Sequence, residues 1–506
     1  MGKTVVSEEK KIFRRNLFAF SIGTIGRDFL YNFFNGFLLT FILLTKNLSA
    51  AQFGSITFII VAARIFDALN DPLMGGVVEN TRTKFGKYKP WQLIGCLSTA
   101  GVIVALFNIP LYGWSFIALL AVCYFLFSVT FTMNDISYWG MMPTLTSDPD
   151  ERNKLTSVAQ IFVGIGGGAA GVLIPIFTTG NVGTAVFGSV SRAFGVISVV
   201  AAALMVGFQF VTVFGVKEPA MRTPMVKTER LKFRQIFTVI GKNDQLLWAA
   251  VCLLLSNVGT NVVTGGLSTM YIYFEFGYDG MLTVLFAALS AVMGVLFIVF
   301  FPLLMRKFGR EKVLYASTFL VIAGFLALLF VGLFVDKGPE VSFDLIGFHF
   351  AFPQKFIWFV LANATTGAGG AYMIMTINMA NAVEYNEYKT GNREESLIFS
   401  LRPLTNKLGS ALSQGLISLV YIIAGVLTYT NRISELENAN GENKLVEISE
   451  ILRAVPDDNK KILLLCTCLI PIVFLSVMMI LYKRFFKLDE KRMEEINLEL
   501  KSRKEQ

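Results

Sequence analysis

Over most of this chain apolar positions do not alternate with polar ones; they run on without interruption. The stretches "VISVVAAALMVGFQFVTVFGV" (196–216) and "GFLALLFVGLFV" (324–335) contain no charged side chain, and roughly 20 apolar residues suffice to cross a bilayer as one helix. Twelve segments of this kind are read at 16–45, 50–78, 91–110, 113–145, 154–179, 192–216, 244–275, 280–305, 312–336, 355–385, 396–428 and 460–486. The pattern predicts an all-α membrane protein with twelve transmembrane helices.

Six of these spans precede the charged stretch "KEPAMRTPMVKTERLKFRQ" (217–235) and six follow it. The division expected is an N-terminal segment 1–15, a six-helix bundle 16–216, a linker 217–243, a second six-helix bundle 244–486 and a tail 487–506. Two such bundles face to face would hold a substrate near the membrane midplane. An internal echo supports the duplication: "VVENTRTKFGKYK" after the second span and "LLMRKFGREK" after the eighth both place basic residues around a glycine-centred turn. The tail has apolar positions at Leu488, Met493, Ile496, Leu498 and Leu500 and reads as a charged helix near the membrane surface.

Composition adds direction to this picture. The chain has 506 residues, 54% of them apolar, 47 Phe and a net charge of +9. With the N-terminus inside, the inner loops and tails hold 32 Lys and Arg against 9 outside. That asymmetry follows the positive-inside rule, placing the protein in the cell membrane with both termini cytoplasmic. The positive charge is thus a topology signal, and nucleic-acid binding is not expected. The five cysteines lie in apolar surroundings without metal-site spacing, and the single His349 falls in an outer loop. With no histidine or cysteine suited to buried chemistry, an enzyme is not expected, and no cofactor is implied.

Charges inside the spans then mark the candidate chemistry. In "ARIFDALNDPLMGG", Asp67 and Asp71 are one helical turn apart and project from the same side. Arg64 could neutralise one of them in a packing role, but one cation cannot cancel two anions. Asn70 adds an amide oxygen on nearly the same arc, and Thr132 from span 4 is a candidate hydroxyl ligand. Clustered oxygens of this kind suit a hard monovalent cation such as Na⁺; otherwise one carboxyl would hold a proton. A second cluster joins Arg27 and Asp28 of "GTIGRDF" to Asp135 and Trp139 of "TMNDISYWG". Two carboxylates beside an indole suit a carbohydrate; an Arg27–Asp ion pair with Trp139 in the interface belt is the structural alternative. Glu275 and Glu384, near span ends, read as solvated.

These residues also carry a resemblance. "ARIFDALNDPLMGGVVENTRTKFGKYKPW", "TMNDISYWGMMPTLTSDPDERNKL" and "AVEYNEYKTGNREESLIFSLRPLTNKLGSAL" resemble segments of the glycoside-pentoside-hexuronide:cation symporters, the major facilitator branch that includes melibiose permease. The resemblance implies the major facilitator fold and symport of a sugar or glycoside with Na⁺, Li⁺ or H⁺. It assigns Asp67, Asn70, Asp71 and Thr132 to the cation and Arg27, Asp28, Asp135 and Trp139 to the sugar. It also gives Lys407 a coupling role near the carboxylates, in which Arg64 would share. Two positions depart from the melibiose carrier: Gln160 stands in place of a sugar-contacting arginine and Asn35 in place of a tyrosine. These two changes leave the sugar open among pentosides, glucosides, galactosides and hexuronides. A carrier of lysolipids or other amphiphiles on the same fold is the competing reading.

Overall fold

Polar residues at the chain's helix starts supply the hydrogen bonds that the first turn lacks. Ser49 accepts from the amide of Gln52 while the Gln52 side chain accepts from the amide of Ser49, a reciprocal cap that opens helix α2. Asp148 with Pro149, Ser189, Asn243 and Asp279 open later helices in the same way. The computed structural model describes residues 2–146, 148–217, 241, 243–345, 347–392, 398, 401–439 and 443–505. Most of the expected linker 217–243 lies outside them.

Two compact units are found: Met1–Arg230 with Thr430–Ile448, and Leu231–Tyr429 with Ser449–Gln506. The first contains α1 (Gly2–Thr45), α2 (Ala50–Asn80), α3 (Lys89–Asn108), α4 (Gly113–Met141), α5 (Pro149–Thr178), the short α6 (Gly180–Phe187) and α7 (Val190–Gly215). Helix α1 lies against α5 and α7, and α4 lies against α2 and α3. The α1–α7 contact depends on Gly26, where a Cβ would stand 2.2 Å from the Leu204 carbonyl oxygen. Small residues at such crossings let helices approach in lipid, where apolar burial does not drive association. Hydrogen bonds complete the contact: Asn134 Nδ2 donates to the Gln92 carbonyl at 3.0 Å and to Gln209 Oε1 at 3.1 Å, and Gln209 Nε2 donates to the Gly23 carbonyl at 3.0 Å. All three side chains are buried, and they tie α1, α3, α4 and α7 together next to Arg27 and Asp135.

The second unit contains α8 (Asp244–Val262), a π turn over Val263–Leu267, α9 (Ser268–Phe276), α10 (Gly280–Phe308), α11 (Arg310–Phe334), the antiparallel strands β1 (Glu340–Leu345) and β2 (Phe348–Pro353), α12 (Lys355–Asn363), α13 (Ala371–Thr390) and α14 (Leu401–Ile423). Next come α15 (Val426–Asn438) and α16 (Lys444–Arg453); α17 (Asp457–Phe485) and α18 (Glu490–Glu505) complete the second unit. Segment 430–448, expected as part of an outer loop, belongs to the first unit; inside it Glu437 and Lys444 form a buried ion pair at 2.9 Å, with 1% and 5% of their side chains exposed. Glu437 Oε2 also accepts from the Val190 amide, and Lys444 Nζ donates to the Gly188 carbonyl.

Ten helices among the described residues are long and apolar enough to cross a membrane, or eleven if the pair Leu401–Ile423 and Val426–Asn438, bent by 87°, is one span. The protein is an all-helical multi-pass membrane protein. The tenth expected span, 355–385, is not one continuous helix: a 3₁₀ turn over Ala364–Ala368 separates α12 from α13. The sequence there, "TTGAGG", is poor in helix formers, and α13 carries Asn378, Asn381, Glu384 and Asn386. The π turn over Val263–Leu267 likewise interrupts the seventh expected span, and the β hairpin, which carries His349 opposite Asp344, adds a non-helical element. Both echoing loops hold a glycine at positive φ, Gly86 at 96° and Gly309 at 79°, a region that glycine enters without strain.

One side chain is placed differently from its sequence reading. Glu275 is not solvated: its carboxylate is 9% exposed, 3.0 Å from Lys355 Nζ and 3.9 Å from Lys460 Nζ. Two lysines brought from distant helices make burial of the carboxylate tolerable, and proximity in sequence to a span end carries no sign of them.

Candidate functional site

The cation-type cluster is built by α2 and α4. Helical spacing puts Asp67 and Asp71 on one side of α2, and α4 brings hydroxyls across to them. Thr132 Oγ1 lies 3.2 Å from Asp67 Oδ1 and 3.3 Å from Asp71 Oδ1, so one hydroxyl spans both carboxylates. Ser128, one turn earlier on α4, donates to Asp67 Oδ1 at 2.7 Å. The sequence reading missed Ser128; its signal was the four-residue spacing from Thr132. The Asn70 Nδ2 atom is buried and has no hydrogen-bond partner among the described residues.

Beside this cluster, Arg64 Nη2 donates to Asn35 Oδ1, and Asp67 is within its electrostatic reach. A cavity of about 20 Å³, lined by Tyr31, Asn35, Arg64, Asp67 and Ser128 among others, has room for one water-sized group. Removing the Ser128 hydroxyl strips a hydrogen bond of about 1 kcal/mol from a carboxylate facing that space. If this cluster takes a cation, Ser128→Ala should weaken its binding about fivefold, read as the dissociation constant for Na⁺ or Li⁺ titrated into the purified protein. An unchanged value would leave Ser128 a packing residue.

The second cluster is built by α1 and α4. Arg27, 3% exposed, donates from Nε and Nη2 to Asp28 Oδ2 at 3.2 and 2.9 Å and from Nη1 to Asp135 Oδ1 at 3.0 Å. The guanidinium carbon lies 4.8 Å from the Tyr138 ring centre and 5.1 Å from that of Trp139. Ion pair and aromatic wall therefore coexist: Trp139 packs on Phe20 and Tyr138 within the bundle. The Asp135 side chain remains 42% exposed, and among the described residues its second oxygen accepts no hydrogen bond. One cation facing two carboxylates leaves the cluster net negative, with one acceptor open to an incoming hydroxyl.

The other candidates belong to neither cluster. Gln160 is exposed on α5, next to Ala159, whose carbonyl accepts from Thr24 at 3.5 Å, about one turn of α1 from Arg27. Lys407 is partly buried on α14 in the second unit. In that unit Arg402 and Asn406 both donate to the Tyr372 hydroxyl, at 3.2 and 3.1 Å, and Asn257 donates to Asn406 at 2.7 Å. This polar chain across α8, α13 and α14 was not legible in the sequence beyond the charge of Arg402.

The comparisons agree on the family. The family described as MFS/sugar transport protein matches residues 19–490. The raffinose carrier protein of Pediococcus pentosaceus is 27% identical over 421 residues, 81% of this chain and 62% of the carrier. The lactose permease of Lactobacillus delbrueckii subsp. bulgaricus is 28% identical over 433 residues, 83% of this chain and 64% of the permease. The chain thus spans less than two thirds of the length of these relatives. Among solved structures, the crystal structure of the nucleoside transporter NupG aligns with a TM-score of 0.60 at 13% identity, over 92% of this chain and 99% of that one, a likeness of fold. The chain belongs to the MFS/sugar transport protein family, the glycoside-pentoside-hexuronide:cation symporters, a family of membrane transporters and not of enzymes.

Proposed function

We propose that this protein carries a neutral sugar or glycoside across the cell membrane together with Na⁺, Li⁺ or H⁺, by alternating access, with both termini cytoplasmic. The observation that carries the reading is the Thr132 hydroxyl shared between Asp67 and Asp71. Two carboxylates held one turn apart repel until a cation or proton joins them, and a site that is costly when bare and stable when filled can drive a conformational equilibrium. Asp67, Asn70, Asp71, Thr132 and Ser128 would take the cation. Arg27, Asp28, Asp135 and Trp139 would take the sugar, with Lys407 and Arg64 responding to the charge of the cation site. The polar character of the Arg27 cluster supports a hydrophilic substrate over a lysolipid. The surplus of basic residues in loops on one side supports the orientation.

Neutral substrates are favoured by the charge of the sugar-type cluster and by the sugars for which the two relatives are named, raffinose and lactose. Gln160 offers an amide where the melibiose carrier has a cation, so nothing at that position offsets the surplus carboxylate. Uptake into membrane vesicles of a neutral glycoside and of its uronide, with Na⁺, Li⁺ and proton gradients imposed separately, tests the reading. Wild type should accumulate the neutral glycoside under at least one cation gradient, and Gln160→Arg should shift the preference toward the uronide. Accumulation of neither sugar under any gradient, or a wild-type preference for the uronide, would overturn it.

A further inference from the structure

At one end of the second unit a cavity of about 440 Å³ opens between the first turn of α11, the last turn of α17 and the segment leading into α18. Five cations line it: Arg310, Lys312, Lys483, Lys487 and Lys491. None of the four lysine ammonium groups makes an ion pair or hydrogen bond among the described residues, whereas Lys355 and Lys444 elsewhere are paired with buried carboxylates. Arg310 is 5% exposed, and among the described residues its guanidinium donates one hydrogen bond, to the Leu488 carbonyl.

The acids at the cavity offset this charge only in part. Glu490 Oε1 accepts from the Arg310 amide at 2.7 Å and Asp489 Oδ1 from the Arg492 amide at 2.7 Å, each capping a helix start and held there away from the lysine ammonium groups. With Glu311, three carboxylates stand against five cations, which leaves the lining net positive. The wall is fixed in place, since Leu488, Met493, Ile496 and Leu500 pack against Tyr385, Tyr388 and Phe486 while Leu498 stays exposed. Unpaired like charges around a preformed cavity are a site for an anion.

The position of the cavity selects the kind of anion. It lies where helices long and apolar enough to cross a bilayer end, the level at which lipid headgroups would meet it, and Phe308 on its rim is exposed. Further along α10 the exposed Leu303, Phe300 and Val299 share one apolar face, on which acyl chains can lie. Basic pockets at helix ends are suited to anionic headgroups.

We propose that this cavity binds the phosphate of an anionic phospholipid headgroup, with the acyl chains along α10. The test is lipid retention by the purified full chain, read by native mass spectrometry after exchange into equal amounts of phosphatidylglycerol and phosphatidylcholine. Wild type should retain phosphatidylglycerol over phosphatidylcholine at least about fivefold, the factor expected of even one lysine. Lys483→Gln, Lys487→Gln and Lys491→Gln combined should remove that preference, while Arg82→Gln with Lys84→Gln, on the basic loop of the first unit, should leave it. Equal retention by wild type, survival of the preference in the triple variant, or equal loss in the Arg82 and Lys84 variant would overturn the proposal. So would displacement of the lipid by millimolar inorganic phosphate, which would make the site one for a soluble anion. None of these readouts depends on sugar transport.

Discussion

Replacing Asp67 or Asp71 by asparagine will abolish concentrative uptake: the internal sugar concentration will rise no higher than the external one, whichever cation gradient is imposed. The proposed site depends on two carboxylates that share the Thr132 hydroxyl. With one of them neutral, repulsion no longer disfavours the cation-free state, and the cation loses a charged ligand. Accumulation requires that cation and sugar bind with a coupling free energy. When filling the site no longer biases the conformational equilibrium, that coupling falls to zero and only equilibration remains. Sugar exchange down its own gradient should persist in part, because the Arg27, Asp28 and Asp135 contacts are untouched. Counterflow and gradient-driven uptake measured on the same vesicles separate the two processes. Full accumulation by either variant would remove that residue from the cation site.

Asp135→Asn will lower sugar affinity by ten- to a hundredfold without unfolding the protein, measured by titration calorimetry. Hydrogen bonds to a charged acceptor contribute about 1.5 to 3 kcal/mol, and the open oxygen of Asp135 is the acceptor that the cluster presents. The consequence at Asp28 differs. Its carboxylate takes two of the three hydrogen bonds from the buried Arg27, so Asp28→Ala leaves a buried guanidinium with Asp135 alone. Breaking a buried pair costs about 3 to 5 kcal/mol. Asp28→Ala should therefore lower thermal stability as well as sugar affinity, while Asp135→Asn lowers affinity at nearly unchanged stability. Unchanged affinity in both variants would move the substrate site away from this cluster.

The two carboxylate clusters were legible to different depths. Asp67 and Asp71 face the same way because of helical periodicity, and the period is present in the residues of α2 themselves. Long apolar runs likewise foretold membrane helices, since crossing a bilayer demands little beyond length and hydropathy. The glycine-centred turns after the second and eighth spans also came from local chemistry, a positive-φ backbone position at Gly86 and Gly309.

Which helix faces meet was settled by contacts between residues far apart in the chain. Ser128 reaches Asp67 across 61 positions and Arg27 reaches Asp135 across 108. Glu275 finds Lys355 and Lys460, and segment 430–448 joins the first unit through Glu437 and Lys444. In lipid the apolar faces of helices are nearly equivalent, so hydropathy does not say which one is turned inward. Close approaches such as that at Gly26 and buried hydrogen bonds such as those of Asn134 make the choice. Those interactions exist only once partner helices are side by side, and for that reason the carboxylates, Thr132 and Arg27 could be read from the order of residues while Ser128 beside Asp67 and the two lysines beside Glu275 could not.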